Sequence, residues 1–486
     1  EAKRAGATVL ITTDCGTKDI QAVDYAVEQG IDVIVTDHHI IGSSLPKAHA
    51  IINPNMYEGE TVCNEIAGAT VSFKFIQAMY DYLGVEFPEY LFELGLIVSA
   101  LGSISDRVSM LNPVNRLIVK YGSDAFFQTQ REGLKAVRDI SMTSKHLTRP
   151  RHLSRTVIPR LNAPGRIGNP YENIPDSTLV VDLLLLGKGK RHKAKANHLK
   201  QQLDNVYDEE EQQLKNQKLA NSSAVDVDVI NEKRKKLTAT IEDEMDKLIE
   251  VQVNQLQDRI IILQGKDWNS GVIGIDADRL KERFLRPAII LNASKTSDYV
   301  RGSARSIPRI NVYQLINSVE EKFLKLYNRG LFQLEVESAG KKQVVSAFGG
   351  HSQACGFTLH KDDVDTFIDM IKTESQTLTL DQFEYHYDVI DRLELNELDE
   401  KFITKLDRFS PFGQRFEFPI FYVENCELYG GRSFGNRYQK RLKQHVQFSV
   451  ASKGSGKNVK LDAVGFGLWE KFCEIKEQSK SLQKID

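Results

Sequence analysis

Apolar and polar residues alternate over the first hundred positions in the manner of a βαβ unit. The runs ATVLITT (7–13) and DVIVT (32–36) are short and rich in β-branched residues, and KDIQAVDYAVEQG (18–30) has the spacing of an amphipathic helix that ends at Gly. Because a helix between two strands favours adjacent parallel strands buried on both faces, we predict a parallel sheet here. Two further helices are predicted at about 65–84 and 88–102, the second almost wholly apolar.

The pattern changes several times after this sheet. Residues 146–175 are rich in Pro, Arg, Asn and Gly and predict an ordered loop. Residues 192–256 contain no Pro or Gly and predict one or two long charged helices with solvated faces, with a break allowed near NSSAVDVD. A second α/β pattern follows, with strands at RIIILQG, PAIILNA and VRGSARSI and helices near 272–284 and 312–328. From about residue 383, short strands with Gly-rich turns predict a small antiparallel barrel or sandwich.

We therefore predict an α/β protein with four parts. They are a parallel-sheet domain at residues 1–190, connecting helices at 191–256, a smaller α/β domain at 257–380 and a C-terminal β-barrel-like domain at 381–486. At 486 residues the chain is too long for a single hydrophobic core, which agrees with several domains.

The composition is that of an ordinary globular protein, with 41% hydrophobic and 27% charged residues. No apolar run approaches the roughly 18–20 residues of a membrane span, so we expect no membrane partner. The N-terminal segment lacks the pattern of a signal peptide, and five scattered cysteines without a CxxC pair indicate neither a disulfide framework nor a cysteine zinc site. We therefore expect a reducing compartment and a cytoplasmic protein.

A formal net charge of −2 hides strongly basic segments. Residues 141–170 and 187–200 each carry six Lys and Arg, and residues 430–460 carry eight, with no acidic residue in any of the three. Residues 204–211, in contrast, are densely acidic. Separated basic patches can attract a polyanion even when the total charge is close to zero.

Carboxylates and imidazoles follow the two predicted parallel strands directly. Asp14 follows the first strand, Asp37 follows the second, and His38 and His39 come next in the loop. Adjacent parallel strands bring these side chains to one carboxyl edge of the sheet, where open α/β folds bind ligands. Asp106 ends the apolar helix in ALGSISD as a third carboxylate. This mixture of Asp and His suits Mn²⁺ or Mg²⁺, and two such ions roughly 3.5–4 Å apart can promote phosphoryl transfer.

A single Asp at the end of a strand is more often a turn former or a helix cap than a ligand. Asp14 in DCGT could simply cap the helix that follows, with Gly16 easing the turn. The convergence of three carboxylates and two imidazoles on one sheet edge favours the metal site over this alternative.

Phosphate-binding candidates lie in the second α/β pattern. GSARSI offers Ser303, Arg305 and Ser306, and GGH offers Gly349 and Gly350 before a predicted helix start. Arginine can bind phosphate through two hydrogen bonds, and glycine lets backbone amides approach an anion at a helix N-terminus. A solvated loop and a tight turn are the simpler alternatives for these two motifs.

The C-terminal part interleaves cations with aromatic residues. Arg432 and Arg437 lie among Phe434, Tyr438 and Phe448. This combination suits single-stranded nucleic acid, because bases stack on aromatic rings while cations neutralise phosphates. A basic surface without a nucleic-acid role remains the alternative.

Several motifs resemble one family in its order. ITTDCGT, VIVTDHH and ALGSISD are similar to three successive motifs of the DHH phosphoesterase superfamily. PRLNAPGRIG, WNSGVIGI, GSARSI and GGHSQACGF resemble the RecJ-type single-stranded-DNA exonucleases, and PFGQRFEFPIF resembles the start of their OB-like domain. The resemblance implies a DHH domain, connecting helices, a DHH-associated domain and an OB-like single-strand-binding domain as the four parts.

The resemblance also implies roles for individual residues. Asp14 would bridge the metal ions, and His38 and Asp106 would hold one of them. Asp37 would orient the site, and His39 would meet the substrate phosphate. A set of residues that binds nucleic acid would comprise Arg166, Ser303, Arg305, Ser306, Gly349, Gly350, His351, Arg432 and Arg437.

By the same resemblance we expect a Mn²⁺- or Mg²⁺-dependent exonuclease that degrades single-stranded DNA from the 5′ end in repair and recombination. A helicase or a single-strand-binding protein would be a partner. The alternatives are a DHH hydrolase of short oligonucleotides and a catalytically impaired DNA-binding scaffold.

One departure from the family pattern bears on these alternatives. The family opens with a strand that carries D-x-D-x-x-G and holds the other metal ion, and no such motif precedes Asp14. We expect either that this chain is a fragment or that half of the metal site has been lost.

Overall fold

The structure is a computed structural model, and the chain divides into two compact units, Glu1–Tyr385 and His386–Asp486. The structure describes residues 2–42, 44–57, 59, 64–141, 150–169, 175–186, 209–254, 257–338, 341–384, 388–434, 445–452 and 460–482. Within these ranges no helix is long and apolar enough to cross a membrane.

The first unit begins with the predicted βαβ arrangement. Strand β1 (Val9–Thr13), helix α1 (Ile20–Glu28) and strand β2 (Asp32–Thr36) are followed by a short strand β3 (Ala50–Ile52), which the sequence pattern did not reveal. The sheet has the order β1-β2-β3, and both strand pairs are parallel. Val33 and Val35, on one face of β2, are fully buried and pack against α1. The expectation that both strands are buried on both faces is wrong for β1, where Val9 and Ile11 are about half exposed.

Helices cover the next part of the first unit. They are α2 (Gly68–Tyr82), α3 (Glu89–Ser105), α4 (Pro113–Gln128), α5 (Glu132–Ser141), α6 (Pro150–Ile167) and α7 (Thr178–Leu185). The positions of α2 and α3 agree with the two predicted helices.

The prediction of a loop at residues 146–175 is wrong, because Pro150–Ile167 forms α6. Pro159 and Pro164 lie inside this helix, and proline normally weakens a helix by removing a hydrogen-bond donor. Leu153 and Val157, one helical turn apart, are wholly buried in a core that α3 and α5 also line. Tertiary packing therefore outweighs the local preference of the prolines.

The charged segment forms one long helix, α8 (Glu209–Gln252), without the break that the sequence allowed. The expectation that its faces are solvated is wrong for one face. Ala224 and Val227 are buried in the core beneath α3 and α5, and Ile241, Met245 and Ile249 are buried in the next core along the chain. Within each core these positions recur every three or four residues, so α8 is a structural part of both cores rather than a solvated linker.

A second sheet follows α8 in the first unit. Its strands are β4 (Ile261–Lys266), β5 (Ala288–Ala293), β6 (Tyr299–Arg305), β9 (Phe348–His351) and β10 (Ala354–His360), in the order β4-β5-β6-β10-β9. Within this sheet β4 and β5 pair in parallel and the other pairs are antiparallel. Helices α9 (Ile273–Phe284), α10 (Val312–Tyr327) and α11 (Val364–Ser375) accompany it, with a hairpin of β7 (Gln333–Ser338) and β8 (Lys341–Ser346). The predicted helices near 272–284 and 312–328 are confirmed.

The second unit contains two small sheets and two helices among its described residues. Strands β11 (Val389–Leu393) and β12 (Ile420–Val423) pair in parallel. Strands β13 (Cys426–Phe434), β14 (His445–Ser452) and β15 (Lys460–Gly465) form the predicted antiparallel sheet. Helix α12 (Glu400–Asp407) precedes β12, and helix α13 (Trp469–Leu482) ends the described chain.

A buried carboxyl lies where α9 packs on α8. The Asp276 side chain is fully buried, and neither of its oxygens has a hydrogen-bond partner among the described residues. Its Oδ1 lies 3.6 Å from Nη1 of Arg279, which also pairs with Glu242 of α8. Burial raises the pKa of Asp276 to about 7, and the nearby Glu242 contributes, although Arg279 and Arg234 oppose the rise.

We predict that Asp276→Asn stabilises the fold more at about pH 8 than at about pH 5. A carboxyl whose pKa is raised in the folded state favours folding while it is protonated, and this contribution is lost as the pH rises through about 7. The stability difference between variant and wild type should grow by about 2–3 kcal/mol over this range, measured by urea unfolding at each pH. The control is Asp365→Asn, which changes an exposed carboxyl of α11. A difference that does not depend on pH would contradict the prediction.

Candidate metal centre and anion-binding residues

Asp14 leaves β1 in a sharp turn rather than as a helix cap. Its backbone is left-handed, with φ of 63°, and its amide donates to the carbonyl oxygen of Thr36 at 2.9 Å. Helix α1 begins only at Ile20, with Asp19 at the N-cap position. The alternative that Asp14 caps this helix is therefore excluded, and its exposed carboxylate is available at the sheet edge.

Asp37 is a buried carboxylate that organises the loop after β2. Its Oδ1 accepts hydrogen bonds from the backbone amides of His38 (2.8 Å) and His39 (3.2 Å) and from His39 Nδ1 (2.7 Å). Its Oδ2 accepts a hydrogen bond from the Thr17 amide at 3.0 Å. Burial alone would raise the pKa of Asp37, but the hydrogen bonds from His39 and Thr17 outweigh burial and hold it well below its usual value. Because ionised Asp37 only accepts, His39 Nδ1 carries the proton and Nε2 remains for another ligand.

His38 lies between two carboxylates. Its Nε2 is 3.0 Å from Asp14 Oδ1 and 3.8 Å from Asp106 Oδ2. Burial lowers the pKa of His38, but the hydrogen bond and charge of Asp14 and the charge of Asp106 raise it overall. Burial and the charge of Asp14 raise the pKa of Asp106. The structure thus brings together at one point two carboxylates and one imidazole that lie far apart in sequence.

The donor set fits a divalent cation. Ligand atoms of Asp14, His38 and His39 all lie within 4.8 Å of one another, and Asp106 approaches His38 from the end of α3. Oxygen and imidazole donors at this spacing suit Mn²⁺ or Mg²⁺. The carboxylate of Asp14 lies against Gly68, the first residue of α2, where a Cβ atom would come within 2.2 Å of Asp14 Oδ1. The absence of a side chain at Gly68 therefore makes room for Asp14.

Sequence reasoning missed three residues that support this centre. Asn53 is buried and donates to the carbonyl oxygen of His39 (2.9 Å) and to Thr17 Oγ1 (3.1 Å), and Asn55 donates to the carbonyl oxygen of His38 (2.6 Å). Like Gly68, they support the centre through contacts with residues that are distant in sequence. The only local sign was the NPN triplet after the unrecognised strand β3, which caps a short 3₁₀ turn.

Arg305 and Arg166 lie in a second cluster beside α9. Arg305 Nη1 donates to Ser303 Oγ (3.2 Å), and Arg166 Nη1 donates to the carbonyl oxygen of Gly271 (3.3 Å). Burial lowers the pKa of Arg166, and repulsion from Arg305 lowers it further. Both residues pack at the start of α9, the Arg166 backbone against Gly271 and the Arg305 guanidinium against Gly274. The structure therefore brings together three predicted anion-binding residues from α6 and β6.

His351 is the last residue of strand β9 in the second sheet. Desolvation lowers the pKa of His351, and so do the positive charges of His39, Lys18 and His38. The expectation that GGH precedes a helix is wrong, because Gly349 and Gly350 belong to strand β9. Gly350 has a φ of 144° and lies tightly against Ala354 of β10, whereas Gly349 has open space where a Cβ would be.

The other predicted anion-binding residues have different environments. Ser306 is buried, and its hydroxyl donates to the carbonyl oxygen of Ile310 (2.7 Å), so its expected contact with nucleic acid is not supported. Arg432 is exposed on β13 near Gln447, and Phe434 is exposed on the same strand. Arg437 lies outside the described residues.

Three family models match the chain in sequence order. They are the DHH family N-terminal domain at residues 3–98, the DHHA1 domain at 257–325 and the RecJ OB domain at 390–483. The single-stranded-DNA-specific exonuclease RecJ of Bacillus subtilis is 29% identical over 469 residues, which are 96% of this chain and 50% of that protein. The RecJ of Escherichia coli is 28% identical over 461 residues, 92% of this chain and 70% of that protein. The chain thus spans about half the length of the Bacillus relative.

Solved structures show the same fold. RecJ of Thermus thermophilus in complex with Mn²⁺ has a TM-score of 0.66 and 20% identity, and the match covers 94% of this chain and 58% of the Thermus chain. The same protein with Mg²⁺ has a TM-score of 0.62, 19% identity and coverages of 94% and 55%. The domains that match this chain are those of DHH-family proteins, with a DHHA1 domain after the DHH domain. With its RecJ OB domain as well, the chain is similar to RecJ proteins along more than nine tenths of its length.

We predict that Gly68→Ala weakens Mn²⁺ binding roughly tenfold or more, because the new Cβ would force the Asp14 carboxylate out of its position. Isothermal titration calorimetry with Mn²⁺ measures the effect. Gly42→Ala is the matched control, since its Cβ would lie 3.8 Å from the nearest atom, a carbonyl oxygen of Ser44. A folded Gly68→Ala protein with wild-type affinity for Mn²⁺ would refute the prediction.

Proposed function

We propose that this protein is a metal-dependent exonuclease that hydrolyses single-stranded DNA from the 5′ end, in DNA repair and recombination. The observation that carries the proposal is the convergence of Asp14, His38 and Asp106 at the carboxyl edge of a parallel sheet. The names of its relatives, which describe single-stranded-DNA-specific exonucleases, and the metal ions in the related structures support it.

Each residue of the centre has a distinct task in this proposal. Asp14, His38 and Asp106 would hold Mn²⁺ or Mg²⁺. A divalent ion bound there would supply positive charge to polarise a phosphoryl oxygen and to generate a nucleophile near neutral pH. Asp37 fixes the orientation of His39 and the position of its proton at Nδ1, so His39 Nε2 would face the scissile phosphate.

The second cluster would bind phosphates of the single-stranded DNA backbone. Arg305, Arg166 and Ser303 offer guanidinium and hydroxyl donors, and His351 would add an imidazole donor. Arginine suits this task because its planar fork matches the oxygens of a phosphodiester. The exposed Arg432 and Phe434 of the second unit, with Arg437, would bind nucleotides by charge and stacking.

We predict that Asp14→Ala or His38→Ala lowers cleavage of single-stranded DNA to less than about 1% of the wild-type rate, while strand binding stays largely intact. Each change removes a ligand of the centre without touching the anion-binding cluster. The measurement is release of labelled product, with binding followed by fluorescence anisotropy. The matched control is His49→Ala, which breaks a solvent-exposed pair with Asp32 on the same sheet. Full cleavage by either ligand variant would refute the metal assignment.

End-labelled single strands test the direction of cleavage and the size of the substrate. Single strands labelled at the 5′ or the 3′ end, incubated with Mn²⁺ or with chelator, should lose the 5′ label first and only with metal present. Rapid turnover of dinucleotides without a gain from longer strands would favour a hydrolase of short oligonucleotides. Binding without cleavage in Mn²⁺ would favour a DNA-binding scaffold.

We predict that Arg305→Ala weakens DNA binding and flattens its salt dependence. Each phosphate contact on a single strand contributes about 0.7 to the slope of log affinity against log salt, so loss of one contact should reduce the slope by about that amount. Arg283→Ala is the matched control, because Arg283 is an arginine of the same domain that pairs with Asp246 of α8. A variant with an unaltered slope would count against Arg305 as a phosphate ligand.

A further inference from the structure

Arg305 already has an anionic partner in the structure. Its Nε lies 3.2 Å from Oδ2 of Asp278 on α9, and its Nη1 donates to Ser303 Oγ and to the carbonyl oxygen of Ala304. Lys281, one turn further along α9, lies 2.8 Å from the other carboxylate oxygen of Asp278. Both oxygens of Asp278 therefore meet a cation, and all three side chains are largely buried, at 20–29% exposure.

Two more cations interact electrostatically with this carboxylate. Burial would raise the pKa of Asp278, but the hydrogen bond and charge of Lys281, followed by the charges of Arg305 and Arg107, lower it. Asp278 in turn opposes the lowering of the Arg166 pKa by burial and by Arg305. Asp278 thus contacts Lys281 of α9 and Arg305 of β6, and it also interacts electrostatically with Arg107 and Arg166. Such a cluster keeps an excess of positive charge and attracts further anions.

The cluster is held in place by close packing around the start of α9. A Cβ atom at Gly274 would lie 2.6 Å from Arg305 Nη2, so the guanidinium lies directly against the helix. A Cβ atom at Gly271 would lie 1.9 Å from the carbonyl oxygen of Arg166, so α6 approaches the same turn. An anion that binds Arg305 where Asp278 now contacts it must compete with this carboxylate.

We propose that Asp278 occupies the position of a backbone phosphate against Arg305 and Lys281, and that a DNA strand binds by displacing it. A carboxylate and a phosphodiester each present two charged oxygens that accept hydrogen bonds from cations. Because the phosphate replaces an anion that is already bound, its contact with Arg305 contributes less to the free energy of DNA binding. Asp278 therefore moderates strand affinity at the anion-binding cluster, an inference that rests on the proposed binding of single-stranded DNA.

The test compares Asp278→Asn with the wild-type protein in binding fluorescein-labelled oligo(dT), with chelator present so that no cleavage occurs. We expect the variant to bind roughly threefold to tenfold more tightly at low salt, with a salt slope steeper by up to about 0.7. The matched control is Asp298→Asn, which removes an exposed carboxylate paired with Lys361 in the same domain and should leave affinity unchanged. Asp278→Ala is the second variant and should change affinity in the same direction.

The outcomes separate competition from a positioning role. In a protein that already carries Arg305→Ala, Asp278→Asn should increase DNA affinity by less, because the guanidinium for which Asp278 and the phosphate compete is absent. Weaker binding by both Asp278 variants would overturn the inference, since it would mean that Asp278 only positions Arg305. Equal affinity of wild type and both variants would also overturn it. Failure of the folded wild-type protein to bind oligo(dT) at all would overturn the proposed function itself.

Discussion

The candidate metal centre depends on the parallel pairing of β1 with β2. Thr13 pairs with Thr36, so the next residue of each strand, Asp14 or Asp37, leaves the sheet at the same edge. The amide of Asp14 donates to the carbonyl oxygen of Thr36 and continues this pairing into the turn. A slip of one residue would exchange the faces of the whole strand and move the carboxylate away from His38. The buried valines of β2, which pack against α1, prevent that slip.

Two buried carboxyl groups show that hydrogen bonding decides whether a carboxyl in the interior of this fold is ionised. Asp37 accepts four hydrogen bonds, from the Thr17, His38 and His39 amides and from His39 Nδ1, and these outweigh burial and keep it ionised. Asp276 has no such bonds among the described residues, and burial raises its pKa to about 7. The first serves the site by fixing the His39 imidazole and the backbone amides of His38 and His39. The second joins α9 to α8 and makes that contact sensitive to pH.

Much of the site could be predicted because its residues follow apolar strand runs directly. Asp14, Asp37 and the histidines stand out in this way, and the βαβ pattern predicts where they meet. Gly68 and the Asp278–Arg305 pair could not be predicted, because they act through contacts between elements distant in sequence. Two predictions about the fold were wrong for the same reason. The apolar residues of α6 and α8 that become buried in the folded protein are hard to recognise in sequence among the prolines of α6 and the charged residues of α8.

The most direct test of the central claim is anomalous diffraction at the manganese edge from crystals of this chain soaked in Mn²⁺. The arrangement of Asp14, His38 and Asp106 predicts an anomalous peak within bonding distance of these three side chains, roughly 2.0–2.3 Å from their nitrogen and oxygen atoms. Crystals that bind manganese elsewhere, or show no peak at this sheet edge while the side chains keep their positions, would contradict the account.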